Sequence, residues 1–116
     1  MSPVIKFIRP AGLLDRTRAS QFNQEINKCL EVTPEVESKP DIVLIDFKDV
    51  TFMDSSGLGA VVLAIKTVQA AGMEIYVCSL NNQLNMLFEL SGLNKVIESF
   101  TDAEQFKQKI SSKKSS

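Results

Sequence analysis

A short serine- and glycine-rich segment, Asp54-Ser55-Ser56-Gly57-Leu58-Gly59, separates two apolar runs of different character and so limits the folds open to this chain. Before it stands Ile42-Val43-Leu44-Ile45-Asp46-Phe47, apolar at nearly every position, as a central strand covered on both faces must be. After it Leu58, Val61, Val62, Ile65 and Val68 recur at helical spacing as far as Ala71, and Gly72 stands where a C-terminal cap belongs. Strand, polar turn and helix in that order form the local unit of an α/β sheet. The hydroxyls of Ser55 and Ser56 then fall where a helix begins, at the carboxyl end of a buried strand. Ligand and modification chemistry collects at such places. Backbone N–H groups at a helix start are unpaired and partly positive, so a phosphate is well tolerated there. A serine at this turn can serve as a helix cap, a nucleophile or a phosphorylation site. Local sequence alone favours the cap for Ser55 and a first-turn place for Ser56.

The rest of the chain repeats the alternation. Val4 to Ile8 reads as a strand bounded by Pro3 and Pro10, and Pro10-Ala11-Gly12 as a turn. Asp15 or Thr17 caps a helix to about Leu30 whose apolar face is Ala19, Phe22, Ile26, Cys29 and Leu30. Thr33 to Pro40 is a polar loop. Glu74 to Cys78 is a further strand, and Asn81-Asn82 opens a helix carrying Leu84, Leu87, Phe88 and Leu90, stopped by Gly92. Val96-Ile97 suggests a short edge strand, and Asp102 caps a last helix with Phe106 and Ile110. The expected architecture is one α/β domain over residues 1–111, with a flexible tail at 112–116. Its mainly parallel sheet has four to five strands, covered by about four helices.

Several function classes are disfavoured. With 13 basic and 14 acidic residues the net charge is −1, and the mixture offers no broad nucleic-acid-binding surface. No apolar run is long enough to span a bilayer, and the N-terminus lacks the core of a signal peptide, so a cytoplasmic location is expected. The two cysteines, Cys29 and Cys78, make neither a redox pair nor a zinc cluster. The chain has no histidine, which removes the usual general base and any Ser-His-Asp triad. The glycines form neither a dinucleotide fingerprint nor a P-loop. No catalytic residue, metal or cofactor is expected, and a hydrolase or acyltransferase built on Ser55 is the weakest reading.

Phe52-Met53-Asp54-Ser55-Ser56-Gly57-Leu58-Gly59 closely resembles the signature of STAS domains, specifically the small anti-sigma factor antagonists of bacterial partner-switching systems. Gly12-Leu13-Leu14-Asp15 resembles an earlier motif of that family, and Asp46-Phe47-Lys48-Asp49-Val50 its approach to the phosphorylation loop. Gly72 to Cys78 and Leu87 to Leu93 resemble the downstream strand and helix, so the likeness spans roughly residues 12–100. The resemblance implies a STAS fold and a binding switch with no chemistry of its own. An anti-sigma factor that is also a serine kinase would phosphorylate Ser55, and a PP2C-type phosphatase would remove the phosphate. The unphosphorylated form, a monomer, would capture the anti-sigma factor and so regulate transcription. Asp15, Asp54, Ser56, Gly57 and Leu58 would share the partner-facing surface. Asp54 is either a turn former or an aligner of Ser55, and Gly57 answers a close approach or an unusual φ. A scaffold STAS domain of a transporter-associated or other signalling complex is the alternative. Three departures from the family pattern bear on partner choice. There is room for about one strand before Gly12, the Thr33–Pro40 loop is long, and Arg18 stands where a threonine or asparagine is common.

Overall fold

The computed structural model describes residues 3–31 and 40–115. Its elements in chain order are β1 (Ile5–Ile8), β2 (Ala11–Leu14), α1 (Arg16–Cys29), β3 (Ile42–Asp46), β4 (Asp49–Met53), α2 (Ser55–Ala70), β5 (Glu74–Cys78), α3 (Asn82–Ser91), β6 (Ser99–Phe100) and α4 (Ala103–Ser115), with a single 3-10 turn at Leu93–Lys95. The strands form two sheets. One has four parallel strands in the order β1-β3-β5-β6; the other is the parallel pair β2-β4. Among the described residues no helix is long and apolar enough to cross a membrane.

Alternation along β3 divides the core. Val43 and Ile45 face α1, α2 and α3 and join Phe22, Ile26, Val61, Ala64, Ile65, Val68, Leu84 and Phe88. Ile42 and Leu44 face the other way and join Tyr76, Cys78, Phe100 and Phe106 beneath α4. All five β3 residues are buried, as the near-continuous apolar run requires. The strands at Ile42 and Glu74, the helix caps at Asn81 and Asp102 and the stop at Gly92 lie where the sequence places them. The loop expected at Thr33–Pro40 lies outside the described residues except for Pro40. Of the tail expected at 112–116, residues 112–115 fall within the span of α4 and Ser116 lies outside the described residues.

Three local expectations are corrected. Ala11 and Gly12 extend as β2 and do not turn; only Arg9 and Pro10 separate it from β1, the one strand before the Gly12-Leu13-Leu14 stretch, as expected. Asp49 to Met53 is a strand, β4, bulged against β2 between Gly12 and Leu13. The edge strand near the end is Ser99–Phe100; Ile97 is buried after the 3-10 turn.

The small sheet positions the site. β2 and β4 run parallel with Leu14 beside Met53, and each leads straight into a helix, α1 or α2. The two helices lie side by side, tied by Asn23 Nδ2 donating to the Ala60 carbonyl at 3.0 Å. Where they start, the backbones nearly touch: a Cβ on Gly57 would lie 2.0 Å from the Leu14 carbonyl oxygen and 2.9 Å from Met53 Cγ. Gly57 does not have a positive φ, so close approach alone accounts for it. Gly59, two residues on, would meet nothing within 4 Å. Gly57→Ala should therefore cost about 3 kcal/mol through overpacking against backbone, roughly 10 °C of melting temperature. Gly59→Ala should raise stability by about 0.5–1 kcal/mol, because alanine favours the helix and nothing resists its methyl. Thermal melts of the two variants check both signs, and a Gly57→Ala melt equal to wild type would contradict the geometry.

Candidate functional site

Both helix starts are capped by an aspartate in extended conformation. Asp15 accepts from the N–H groups of Thr17 and Arg18 at 3.1 and 3.2 Å, and Asp54 accepts from that of Gly57 at 3.0 Å. The expected Asp15 cap is present, but Asp54 takes the role that local sequence favours for Ser55. Ser55 is the first residue of α2 itself. Cap geometry explains the choice: an extended residue one place earlier reaches the third N–H of the helix with a short carboxylate. Ser55 is thereby left exposed, while Ser56, Asp54, Asp15 and Leu58 are half-buried. Among the described residues the Ser55 hydroxyl makes no hydrogen bond, and the N–H groups of Ser55 and Ser56 have no acceptor. The Asp54 carboxylate holds Gly57 and not the Ser55 hydroxyl.

The sequence-predicted residues converge, with one exception in kind. Asp15 and Asp54 lie at neighbouring helix starts because Leu14 and Met53 are in register, and Asp54 N–H points to the Leu14 carbonyl at 3.4 Å. Leu58 packs against the core with part of its surface open. Gly57 is buried under the Leu14 carbonyl, so it supports the turn from beneath and presents no face to a partner. Arg18 braces β2, the strand leading into its own helix: its guanidinium donates to the Ala11 carbonyl at 2.8 Å and covers the space a Gly12 side chain would occupy.

Two features escape sequence reading. Leu13 and Phe52 are cross-strand neighbours on the outer side of the β2-β4 pair, 50% and 47% exposed, just upstream of the two aspartates. Alternation does not show Phe52, because the bulge leaves Thr51 and Phe52 both exposed. Gln83 and Asn81 hydrogen-bond to the backbone of β4, contacts some thirty residues away in sequence for which no local signal exists.

The site carries no thiol chemistry. Burial pushes the Cys78 thiol up to about 11 and also raises that of Cys29, so both stay protonated at neutral pH. Among the described residues no group of three or more histidine, cysteine, aspartate or glutamate side chains could hold a metal ion.

The family model of the STAS domain matches residues 2–111. The chain belongs to the STAS domain family. A protein of Listeria monocytogenes named an anti-sigma-B factor antagonist is 39% identical over 89 residues, 76% of this chain and 72% of that one. An anti-sigma F factor antagonist of Paenibacillus polymyxa is 26% identical over 93 residues, 80% of this chain and 75% of that one. Among solved structures, the anti-sigma factor antagonist SpoIIAA in its unphosphorylated form superposes with a TM-score of 0.70 at 21% identity, over 93% of this chain and 90% of that one. A sulfate transporter family protein from Wolinella succinogenes superposes with a TM-score of 0.73 at 14% identity, over 90% and 84%. These structural likenesses establish the STAS fold, which both kinds of protein share.

The capping geometry sets a further expectation for the STAS domain described here. Asp54→Ala frees the Gly57 N–H and should cost about 1 kcal/mol, some 4 °C of melting temperature. Asp54→Asn keeps an oxygen in place and should lose less. Equal losses in thermal melts of the two variants would show that charge, not the cap, is the stabilising element.

Proposed function

We propose that this STAS domain is an anti-sigma factor antagonist whose binding is controlled by phosphate on Ser55. The observation that carries the reading is the exposure of the Ser55 hydroxyl at the first residue of α2, beside a half-buried Ser56. The antagonist name of the 39%-identical relative supports the general role. The partner is an anti-sigma factor that is also a serine kinase, and the encounter takes place in the cytoplasm between it and a monomer of this chain. Asp15, Asp54, Ser56 and Leu58 form the surround that the partner meets.

The kinase transfers the γ-phosphoryl group of ATP to Ser55 Oγ. A new P–O bond forms, the bond to ADP breaks and the hydroxyl proton is lost. A PP2C-type phosphatase hydrolyses the ester and restores the hydroxyl. The phosphate adds about −1.5 to −2 charges next to Asp54 on the face where both aspartate-capped helices start. A partner whose surface handles the phosphates of ATP is repelled by that charge. Release of the anti-sigma factor then leaves it free to hold its sigma factor, and transcription falls.

Phosphopeptide mapping with the cognate kinase should find the label on Ser55 and none after Ser55→Ala. Titration calorimetry should show Ser55→Ala binding as tightly as unphosphorylated wild type, and Ser55→Asp and the phosphorylated protein at least about tenfold more weakly. Label that survives Ser55→Ala and vanishes in Ser56→Ala would move the site. Equal affinities for all forms would end the switch.

A further inference from the structure

We propose that Gln83 is a positioning residue for phosphorylation: from α3 it holds the peptide that leads into Asp54-Ser55. The inference rests on the reading of Ser55 as the phosphoacceptor.

Among the described residues β4 has a strand, β2, on one side only, so its other edge needs partners for its backbone groups. Side chains at the start of α3 supply them. Gln83 Oε1 accepts from Met53 N–H at 3.0 Å, and Gln83 Nε2 donates to the Met53 carbonyl at 2.8 Å. One primary amide thus satisfies both backbone groups of one residue, as a neighbouring strand would. Asn81 Nδ2 donates to the carbonyls of Val50 and Thr51 at 3.2 and 3.3 Å, further from Ser55. Leu84, next to Gln83, is fully buried and fixes the helix that carries the amide.

The two ends of the Met53–Asp54 peptide are held unequally. Its carbonyl is held by Gln83 at 2.8 Å, whereas its N–H reaches the Leu14 carbonyl only at 3.4 Å. Gln83 therefore makes the shorter of the two bonds to the peptide immediately before Asp54. Asp54 in turn caps α2, and Ser55 follows it. Rotation of this peptide would move the Asp54 cap and the Ser55 hydroxyl together, since the chain has no slack between them. A displacement of about 1 Å at a reacting group is enough to slow transfer severely.

A purely structural role for Gln83 predicts lost stability and nothing more, so the test reads kinetics and site choice. Gln83→Met keeps length and helix preference and removes both bonds; Gln83→Glu keeps the acceptor for Met53 N–H and removes the donor. Asn81→Ala, which loosens β4 away from Ser55 and uncaps α3, is the control for general softening. Each is phosphorylated with the cognate kinase, with kcat, KM, the Ser55:Ser56 ratio and Met53 amide exchange measured. Gln83→Met should exchange Met53 N–H faster, lose on the order of tenfold in kcat with KM within about twofold, and shift label toward Ser56. Gln83→Glu, which sets a carboxylate oxygen against the Met53 carbonyl oxygen, should lose at least as much as Gln83→Met, and Asn81→Ala should keep the wild-type ratio. Wild-type kcat and ratio in Gln83→Met would overturn the proposal, as would an equal loss in Asn81→Ala with Met53 N–H exchange unchanged. Absence of label on Ser55 in wild type would overturn the Ser55 reading and this inference with it, a result distinct from either of those.

Discussion

The Leu14 carbonyl oxygen lies 2.0 Å from where a side chain at position 57 would begin, and the rest of the site depends on that contact. Two strand-to-helix turns can be brought this close only if one contributes no Cβ. Gly57 makes that contribution, and the parallel pairing of Leu14 with Met53 delivers both turns to the same level. The consequence is a surface on which two capped helix starts stand together, with Ser55 on top of one of them. Move the turns apart and Asp15 no longer neighbours Ser55, even if every helix and strand survives.

The electrostatics of that surface are balanced by design of the backbone and not by ion pairing. Asp15 and Asp54 each direct carboxylate oxygens to helix N–H groups, which offset their charge locally. The N–H groups of Ser55 and Ser56 have no acceptor among the described residues. A phosphate on Ser55 would find partial positive charge from α2 and negative charge from Asp54, opposing effects of similar size near water. The fold has no strong reason to resist phosphorylation or to be rebuilt by it. On the proposed reading, what would change is the charge that a partner meets.

Much of this was legible in the sequence, and the failures have physical causes. Ile42 to Phe47 declared itself because a strand buried on both faces must be apolar at nearly every position. Asn81, Asp102 and Gly92 declared themselves through cap chemistry, which is local. β2 and β4 did not: each pairs only with the other, one face of the pair is open, and a bulge breaks the alternation of β4. Pro10 next to Ala11-Gly12 reads as a turn until the distant strand that extends it is known. The Ser55 turn was found in the right place with the wrong cap, since Asp54 and Ser55 are both good capping residues and only the backbone decides between them. Gln83 carries no local signal at all, because its partner, Met53, is remote in sequence.

The central claim is that phosphate acts at the surface of a platform that does not itself rearrange. Thermal melting and amide exchange of the Ser55-phosphorylated and unphosphorylated protein test it most directly. The account predicts a stability difference under about 1 kcal/mol, a few degrees of melting temperature, with protection in α2 unchanged. A melting temperature lowered by roughly 10 °C or more, or protection lost along α2, would show that the phosphate works by disrupting the fold and would contradict the account.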